Sequence, residues 1–252
     1  MKILVIGESC TDKFVYGDVK RLSPEAPVPV INPVEVISNK GMAGNTVMNL
    51  KALDNKAKVD LWTQEEEIIK TRFVEKKSNH MFIRFDEGEE NISGFDKYDL
   101  RDLGTYDIVV VSDYCKGLLS DIDIEEIGNR SRIAILDTKR KLTPKMVKGY
   151  SFIKLNEFEK ANNKALKHKG IITTLGSRGA EYRGQLFPSP RPQETIDVSG
   201  AGDTFTAAFA LKYFYTENVS LAIEYANNKA SEVVVKRGVA TPSVETNKVL
   251  SL

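Results

Sequence analysis

Short runs of apolar residues recur along the chain at Ile3–Ile6, Ala57–Trp62, Ile108–Val111, Ile133–Leu136, Phe152–Leu155 and Ile171–Leu175. Each is rich in Val, Ile or Leu and alternates little, as a parallel strand covered on both faces does. Helical patterns lie between several of them, over Met42–Leu53, Asp121–Gly128 and Glu157–His168. Strand, helix, strand in repetition predicts an α/β fold on a mostly parallel central sheet. The last quarter changes character. Asp203–Phe214 and Ser220–Lys236 read as long helices. In the second, Leu221, Ala222, Tyr225, Ala226, Val233 and Val234 form the core stripe and Ser220 is the expected cap.

Two stretches break this rhythm. Residues 13–37 carry Pro24, Pro27, Pro29 and Pro33 among Val and Ile, and residues 71–85 alternate polar with apolar. Both predict exposed, antiparallel, edge-type strands forming one small sheet beside the main body. Such a sheet is marginal in water unless its apolar face is covered, and a second copy of the chain is the expected cover. No internal repeat or linker divides the sequence, so residues 1–252 are expected to form a single domain.

Composition narrows the function. Hydrophobic residues make up 41% of the 252, enough for a buried core. Lys and Arg number 36 against 35 Asp and Glu, so no overall field favours nucleic acid or an anionic membrane. An anionic ligand must then be held by local groups. The two cysteines, Cys10 and Cys115, far apart and in no Cys-x-x-Cys arrangement, make no disulfide framework or thiolate zinc cage, and His80 and His168 are too few for a histidine-rich metal site. The apolar run at Ile3–Ile6 stops at Gly7-Glu8, too early for a signal segment, and no stretch approaches the ~18 apolar residues of a membrane span. The expectation is a soluble, cytoplasmic protein.

The candidate chemistry centres on Gly200-Ala201-Gly202-Asp203-Thr204, just ahead of an apolar helix. Glycines let the backbone approach a ligand and turn its N–H groups outward, and the helix start adds partial positive charge. That is an anion hole suited to a transferring phosphoryl group. Asp203 beside it is electrostatically costly unless it accepts the proton of an attacking hydroxyl. The alternative is that Asp203 merely caps the helix. The five-residue string favours the first reading, because its chance occurrence in a chain of this size is below roughly one in a thousand.

Residues 195–205, Thr-Ile-Asp-Val-Ser-Gly-Ala-Gly-Asp-Thr-Phe, resemble the C-terminal signature of the ribokinase-like (PfkB) carbohydrate kinases. Gly7-Glu8-Ser9-Cys10-Thr11-Asp12, Gly41-Met42-Ala43-Gly44-Asn45, Asn156-Glu157-Phe158-Glu159 and Thr173–Gly179 resemble further family motifs. The resemblance implies a three-layer α/β/α sandwich with a small β-sheet lid, formed by about 13–37 and 70–86, and a homodimer joined through the lid. It implies ATP and Mg²⁺ as cofactors. Asp203 would be the catalytic base and Gly200, Ala201 and Gly202 the anion hole. Asp12, Gly41 and Asn45 would contact the sugar. Asn156, Glu159, Thr174, Gly176, Gly179 and Asn227 would lie on the nucleotide side, with Glu159 in the outer shell of the metal through water.

A narrower resemblance is to the heptose-7-phosphate kinases of ADP-heptose synthesis. It is carried by Arg21-Leu22-Ser23-Pro24-Glu25-Ala26-Pro27-Val28-Pro29-Val30, by Ser112–Gly117, by Leu136-Asp137-Thr138-Lys139, and by Lys70-Thr71-Arg72 with Arg84-Phe85-Asp86. It implies phosphorylation at O1 of a sugar that already bears a phosphate. Arg72, Arg84, Lys116 and Lys139 fall on the expected ligand side of the sheet, with Arg84 and Lys116 the leading contacts. The sequence also departs from the pattern. Met42 replaces a glycine, the region after Trp62 is short, Lys154-Leu155 replaces Thr-Pro, and no nucleotidyltransferase domain follows, so nucleotidyl transfer is expected to need another protein. Met42 and the short region keep open a non-catalytic sugar or nucleotide sensor, and a kinase for a different sugar. A Rossmann dehydrogenase is disfavoured, because Gly7-Glu8-Ser9-Cys10 is not Gly-x-Gly-x-x-Gly.

Overall fold

A computed structural model describes residues 1–95, 98–190, 198–236 and 238–243. In chain order its first elements are β1 (Lys2–Ile6), β2 (Ser9–Leu22), β3 (Pro29–Met42), α1 (Ala43–Leu53), β4 (Lys58–Trp62), β5 (Ile69–Glu75) and β6 (Met81–Glu87). Next are β7 (Ile108–Asp113), α2 (Asp121–Arg130), β8 (Ala134–Thr138), α3 (Pro144–Val147), β9 (Phe152–Asn156) and α4 (Glu157–Asn162). Then come β10 (Ile171–Thr174), β11 (Ala180–Tyr182), β12 (Gln185–Phe187), α5 (Ala201–Thr216) and α6 (Val219–Val233).

Eight strands form the larger sheet in the order β12-β11-β10-β9-β8-β7-β1-β4, all running parallel except β11, which pairs antiparallel with both β10 and β12. Its strands are apolar on both faces because each face supports its own core. Ile3, Val5, Ile108 and Val110 pack with α1, α5 and α6, while Leu4, Ile6, Val109 and Val111 pack with α2 and α3. The result is the expected α/β/α sandwich. No helix among the described residues is long and apolar enough to cross a membrane.

The smaller sheet has the order β3-β2-β5-β6. It differs from the expectation in one respect: β2 and β5 are interior strands and pair in parallel. The cause is connectivity. β2 prolongs β1 after Gly7-Glu8, and β5 follows β4 after residues 63–68, so two strands parallel in one sheet re-emerge parallel in the other. Register sorts the sheet's two faces. Asp12, Phe14, Lys70, Arg72, Arg84 and Asp86 share the inner face, and Val15, Val36, Phe73, Ile83 and Phe85 share the outer one.

Two helix ends also differ from the sequence reading. α4 stops at Asn162 rather than near His168, because the Asn163 side chain draws the chain off axis by accepting from Leu142 N and donating to Glu159 O and Arg140 O. Asn218, not Ser220, caps α6, accepting from Leu221 N at 3.1 Å. At the β4 edge, Trp62 stacks on Tyr98 at 4.8 Å and meets Phe95 and Tyr106, an aromatic cap where the chain is short. Gln64 braces that short connection through both Ser9 N and Ser9 O.

Candidate active site

The ligand side is assembled at the C-terminal ends of the parallel strands, where loops after β1, β7, β8 and β9 converge with the start of α5. Gly200 takes φ +81° as the residue before α5, and a side chain there would strike the Asn45 amide. Asp203 therefore lies inside the first turn and does not cap the helix. Its side chain is 5% exposed and is held by two donors: Asn45 Nδ2 at 2.8 Å and Tyr114 Oη at 2.7 Å. Burial pushes the Asp203 carboxyl up to about 6, while the bonds from Asn45 and Tyr114 pull it down, Asp137 raises it and Lys154 lowers it.

The donors are themselves fixed. Asn49, one turn after Asn45 on α1, donates to Asn45 O and Oδ1 at 2.8 and 2.9 Å and accepts from Thr204 Oγ1 at 2.8 Å. Tyr114 sits in the loop after β7, and Glu8 organises that loop. The Glu8 carboxylate is fully buried and accepts from Tyr114 N at 2.9 Å, Lys116 N at 2.8 Å and Leu118 N at 3.3 Å. Burial, reinforced by Asp203, raises the Tyr114 hydroxyl well above its ordinary value, so it stays a donor.

Lys154 is the cation that the sequence marked only as a departure. Its ammonium lies 3.0 Å from both oxygens of Asp137, which also accepts from Thr206 Oγ1 at 2.8 Å. A side chain at Gly202 would begin 3.1 Å from Lys154 Nζ, so this ammonium flanks the glycine turn before α5. Burial opposes its charge, but Asp137 and Glu159 hold it protonated.

A cavity of about 520 Å³ opens from this turn. Asn156, Thr174, Gly176, Gly179 and Asn227 line it, as do Lys154, Ala201 and Gly202. Its apolar walls include Phe158, Phe205, Ala230 and Val234. Asn227 donates to Phe187 O at 2.8 Å. Glu159 does not line the cavity: its carboxylate turns back to accept from Asn156 N at 2.7 Å, completing a capping box at the start of α4. Burial raises the Glu159 carboxyl, with Lys154 opposing.

On the other side of Asp203 lies the inner face of the smaller sheet. Asp12 is buried and paired with Arg72, which also covers the Phe14 ring at 4.9 Å. Gly41 adjoins Asp12 so closely that any side chain would collide with its carboxylate and with the Cys10 sulfur. Met42 adopts φ 56° and ψ −134°, a glycine-type conformation, and its buried side chain packs with Cys10 and Ile68 beside Tyr114. Arg84 pairs with Asp86, Lys116 with Glu89, and Lys139 lies 4.3 Å over the Tyr114 ring. Asp197, part of the signature string, lies outside the described residues.

A parallel sheet with a glycine turn before a late helix, facing a second small sheet, is a ribokinase-like fold. Solved structures agree. Ribokinase from Thermotoga maritima superposes with a TM-score of 0.71 at 17% identity, covering 94% of both chains. Phosphofructokinase-2 from Escherichia coli, in complex with substrates and products, gives a TM-score of 0.73 at 12% identity, covering 96% of both. Residues 151–247 match the model of the pfkB family of carbohydrate kinases. Bifunctional protein HldE of Helicobacter pylori (strain J99) is 30% identical over 306 residues, covering 97% of this chain and 65% of the relative. Its counterpart in Desulfatibacillum aliphaticivorans is 28% identical over 302 residues, covering 95% and 61%. The chain thus spans less than two thirds of the length of these curated relatives. Both alignments exceed its 252 residues, so the relatives carry segments without counterpart here. The last part of the chain, residues 151–247, is thus similar to the pfkB family of carbohydrate kinases, and the whole described chain shares the fold of ribokinase and phosphofructokinase-2.

Proposed function

We propose that this domain transfers the γ-phosphoryl group of ATP to O1 of a heptose 7-phosphate, with Asp203 taking the proton of the attacking hydroxyl. The observation that carries the reading is the Asp203 carboxyl itself. It is buried, aligned by Asn45 and Tyr114, poised at about 6, and set at the mouth of an anion-binding turn. The sugar would lie against Asp12, Gly41 and Asn45, under the smaller sheet acting as a lid. Arg84 and Lys116, with Lys70 and Arg72, would offer the cations for its 7-phosphate. The heptose assignment draws on the subgroup strings and on the similarity to the HldE proteins along 95–97% of the chain.

ATP would enter the cavity lined by Thr174, Gly176, Gly179 and Asn227, with its phosphates directed at Lys154 and the backbone of Gly200, Ala201 and Gly202. Those amides and the Lys154 ammonium would face the charge that grows on the transferring group. Among the described residues no cluster of three or more His, Cys, Asp or Glu could hold a metal. Mg²⁺ suits the site as a companion of ATP: phosphates and water would be its direct ligands, with Glu159 reached through water, and its role would be to neutralise phosphate charge. A second copy would cover the outer face of the lid.

The test is ADP release across a panel of heptose 7-phosphate, heptose, other phosphorylated sugars and their unphosphorylated parents. Heptose 7-phosphate should be the best substrate of the panel, with kcat/KM at least about tenfold above that of unphosphorylated heptose, the worth of one charge-assisted contact. A best substrate that lacks a phosphate would remove the heptose phosphate assignment. Silence across the whole panel would remove the kinase reading.

A further inference from the structure

The cations best placed to receive a sugar's phosphate are already bound to a carboxylate of the chain itself. Lys70, on β5, and Lys116, in the loop after β7, both contact Glu89, one through each of its oxygens. Lys70 also meets Asp86 at 3.2 Å, and Arg84 grips Asp86 through two bonds of 2.8 Å. The Arg72–Asp12 pair adjoins them, with Arg72 also 3.5 Å from Lys70 O. The group lies close to the proposed chemistry. Besides burial, the Cys10 thiol feels the charges of Asp12, Lys70, Arg72 and Asp203 together.

The charge count shows what the site lacks. Lys70, Arg72, Arg84 and Lys116 face Asp12, Asp86 and Glu89, which leaves one positive charge in excess. The side chains of Lys70 and Glu89 are only 10% and 19% exposed, so an unbalanced charge there is costly. Two ammonium groups that share one carboxylate through its two oxygens could equally share two oxygens of a phosphate. Replacing one carboxylate by a phosphate dianion would bring the cluster to neutrality. Glu89 belongs to the segment after β6, outside regular structure, so its release breaks no sheet.

We propose that Glu89 occupies the seat of the substrate's phosphate, so that a phosphorylated sugar binds by displacing the Glu89 carboxylate from Lys70 and Lys116. Glu89 then acts as a specificity determinant. A neutral sugar leaves it in place, and only a dianion competes with it for both ammonium groups. The inference rests on the proposed sugar-phosphate reading for its ligand, but not on any phosphoryl transfer.

The experiment is calorimetric titration with inorganic phosphate in the presence of a saturating imido analogue of ATP, which occupies the turn before α5. Glu89→Gln removes the competing charge while keeping the shape, and phosphate should bind it about fivefold or more tightly than wild type. Lys70→Gln and Lys116→Gln should each weaken phosphate binding about tenfold. Lys116 is the more exposed of the two lysines, so its variant serves if Lys70→Gln fails to fold. Unchanged or weaker binding in Glu89→Gln, or unchanged binding in the lysine variants, would overturn the proposal and leave Glu89 as a tie between the two sheets. The titration reads no turnover, so a silent substrate panel would leave its outcome standing.

Discussion

Asp203 combines two demands that oppose one another. It is buried beside the glycine turn, which raises its proton affinity, and the proposed reaction needs it charged. Tyr114 and Asn45 reconcile these demands by donating to its two oxygens. Removing a donor that favours the carboxylate should raise its value further. In Tyr114→Phe the acid limb of the kcat/KM profile, which reports the ligand-free enzyme and is expected near 6 in wild type, should move up by about one unit, the equivalent of a modest charge-assisted bond. A limb that stays in place would mean that Tyr114 does not tune the base. The same burial has a stability consequence. The Asp203 carboxyl rises from 3.8 to about 6 on folding, so the unfolded chain ionises first. Stability is therefore lost as pH rises through that window and is lowest above it. Asp203→Asn removes that penalty and should melt no lower than wild type at pH 8.

At the scale of the elements, α1 begins under strain. Met42 holds a conformation that costs a non-glycine residue about 1–3 kcal/mol, offset by a side chain that is 4% exposed. Met42→Ala keeps the strain and loses the packing, so it should destabilise by about 2–4 kcal/mol. Met42→Gly loses the packing but releases the strain and should cost about 1–2 kcal/mol less than Met42→Ala. Urea unfolding of both variants decides the point, and a better-tolerated alanine would refute it. Met42 also marks how far sequence carries. Its place in the glycine motif was legible, but not that the backbone would keep the glycine conformation. The buried strands were legible because both faces of the large sheet are apolar. The parallel pairing of β2 with β5 was not, because it depends on which end of another sheet each strand leaves. The signature at Gly200–Thr204 and the cavity residues Asn156, Thr174, Gly176, Gly179 and Asn227 were found from local strings. Glu8, Asn49 and Glu89 were missed, because each acts through partners distant in sequence or fold. Only the spacing of Asn45 and Asn49, one helical turn, offered a signal.

On the scale of the whole molecule, the smaller sheet has opposite characters on its two faces. The inner face carries Asp12, Lys70, Arg72, Arg84 and Asp86, and the outer face leaves Val36, Ile83 and Phe85 more than half exposed. Such an apolar face on a sheet of four strands calls for a cover. The chain of 28.1 kDa should run as a dimer in light scattering after gel filtration, and Ile83→Asp should return it to a monomer. A wild-type protein found at 28.1 kDa would exclude a second copy as the cover of this face. One comparison decides whether Asp203 is the base. ADP release from wild type and Asp203→Asn, with the best sugar of the panel at pH 8, should differ by at least about a thousandfold. The variant should still bind ATP within about threefold of wild type, since the cavity is untouched. Near-normal phosphoryl transfer by a folded Asp203→Asn enzyme would exclude Asp203 as the base.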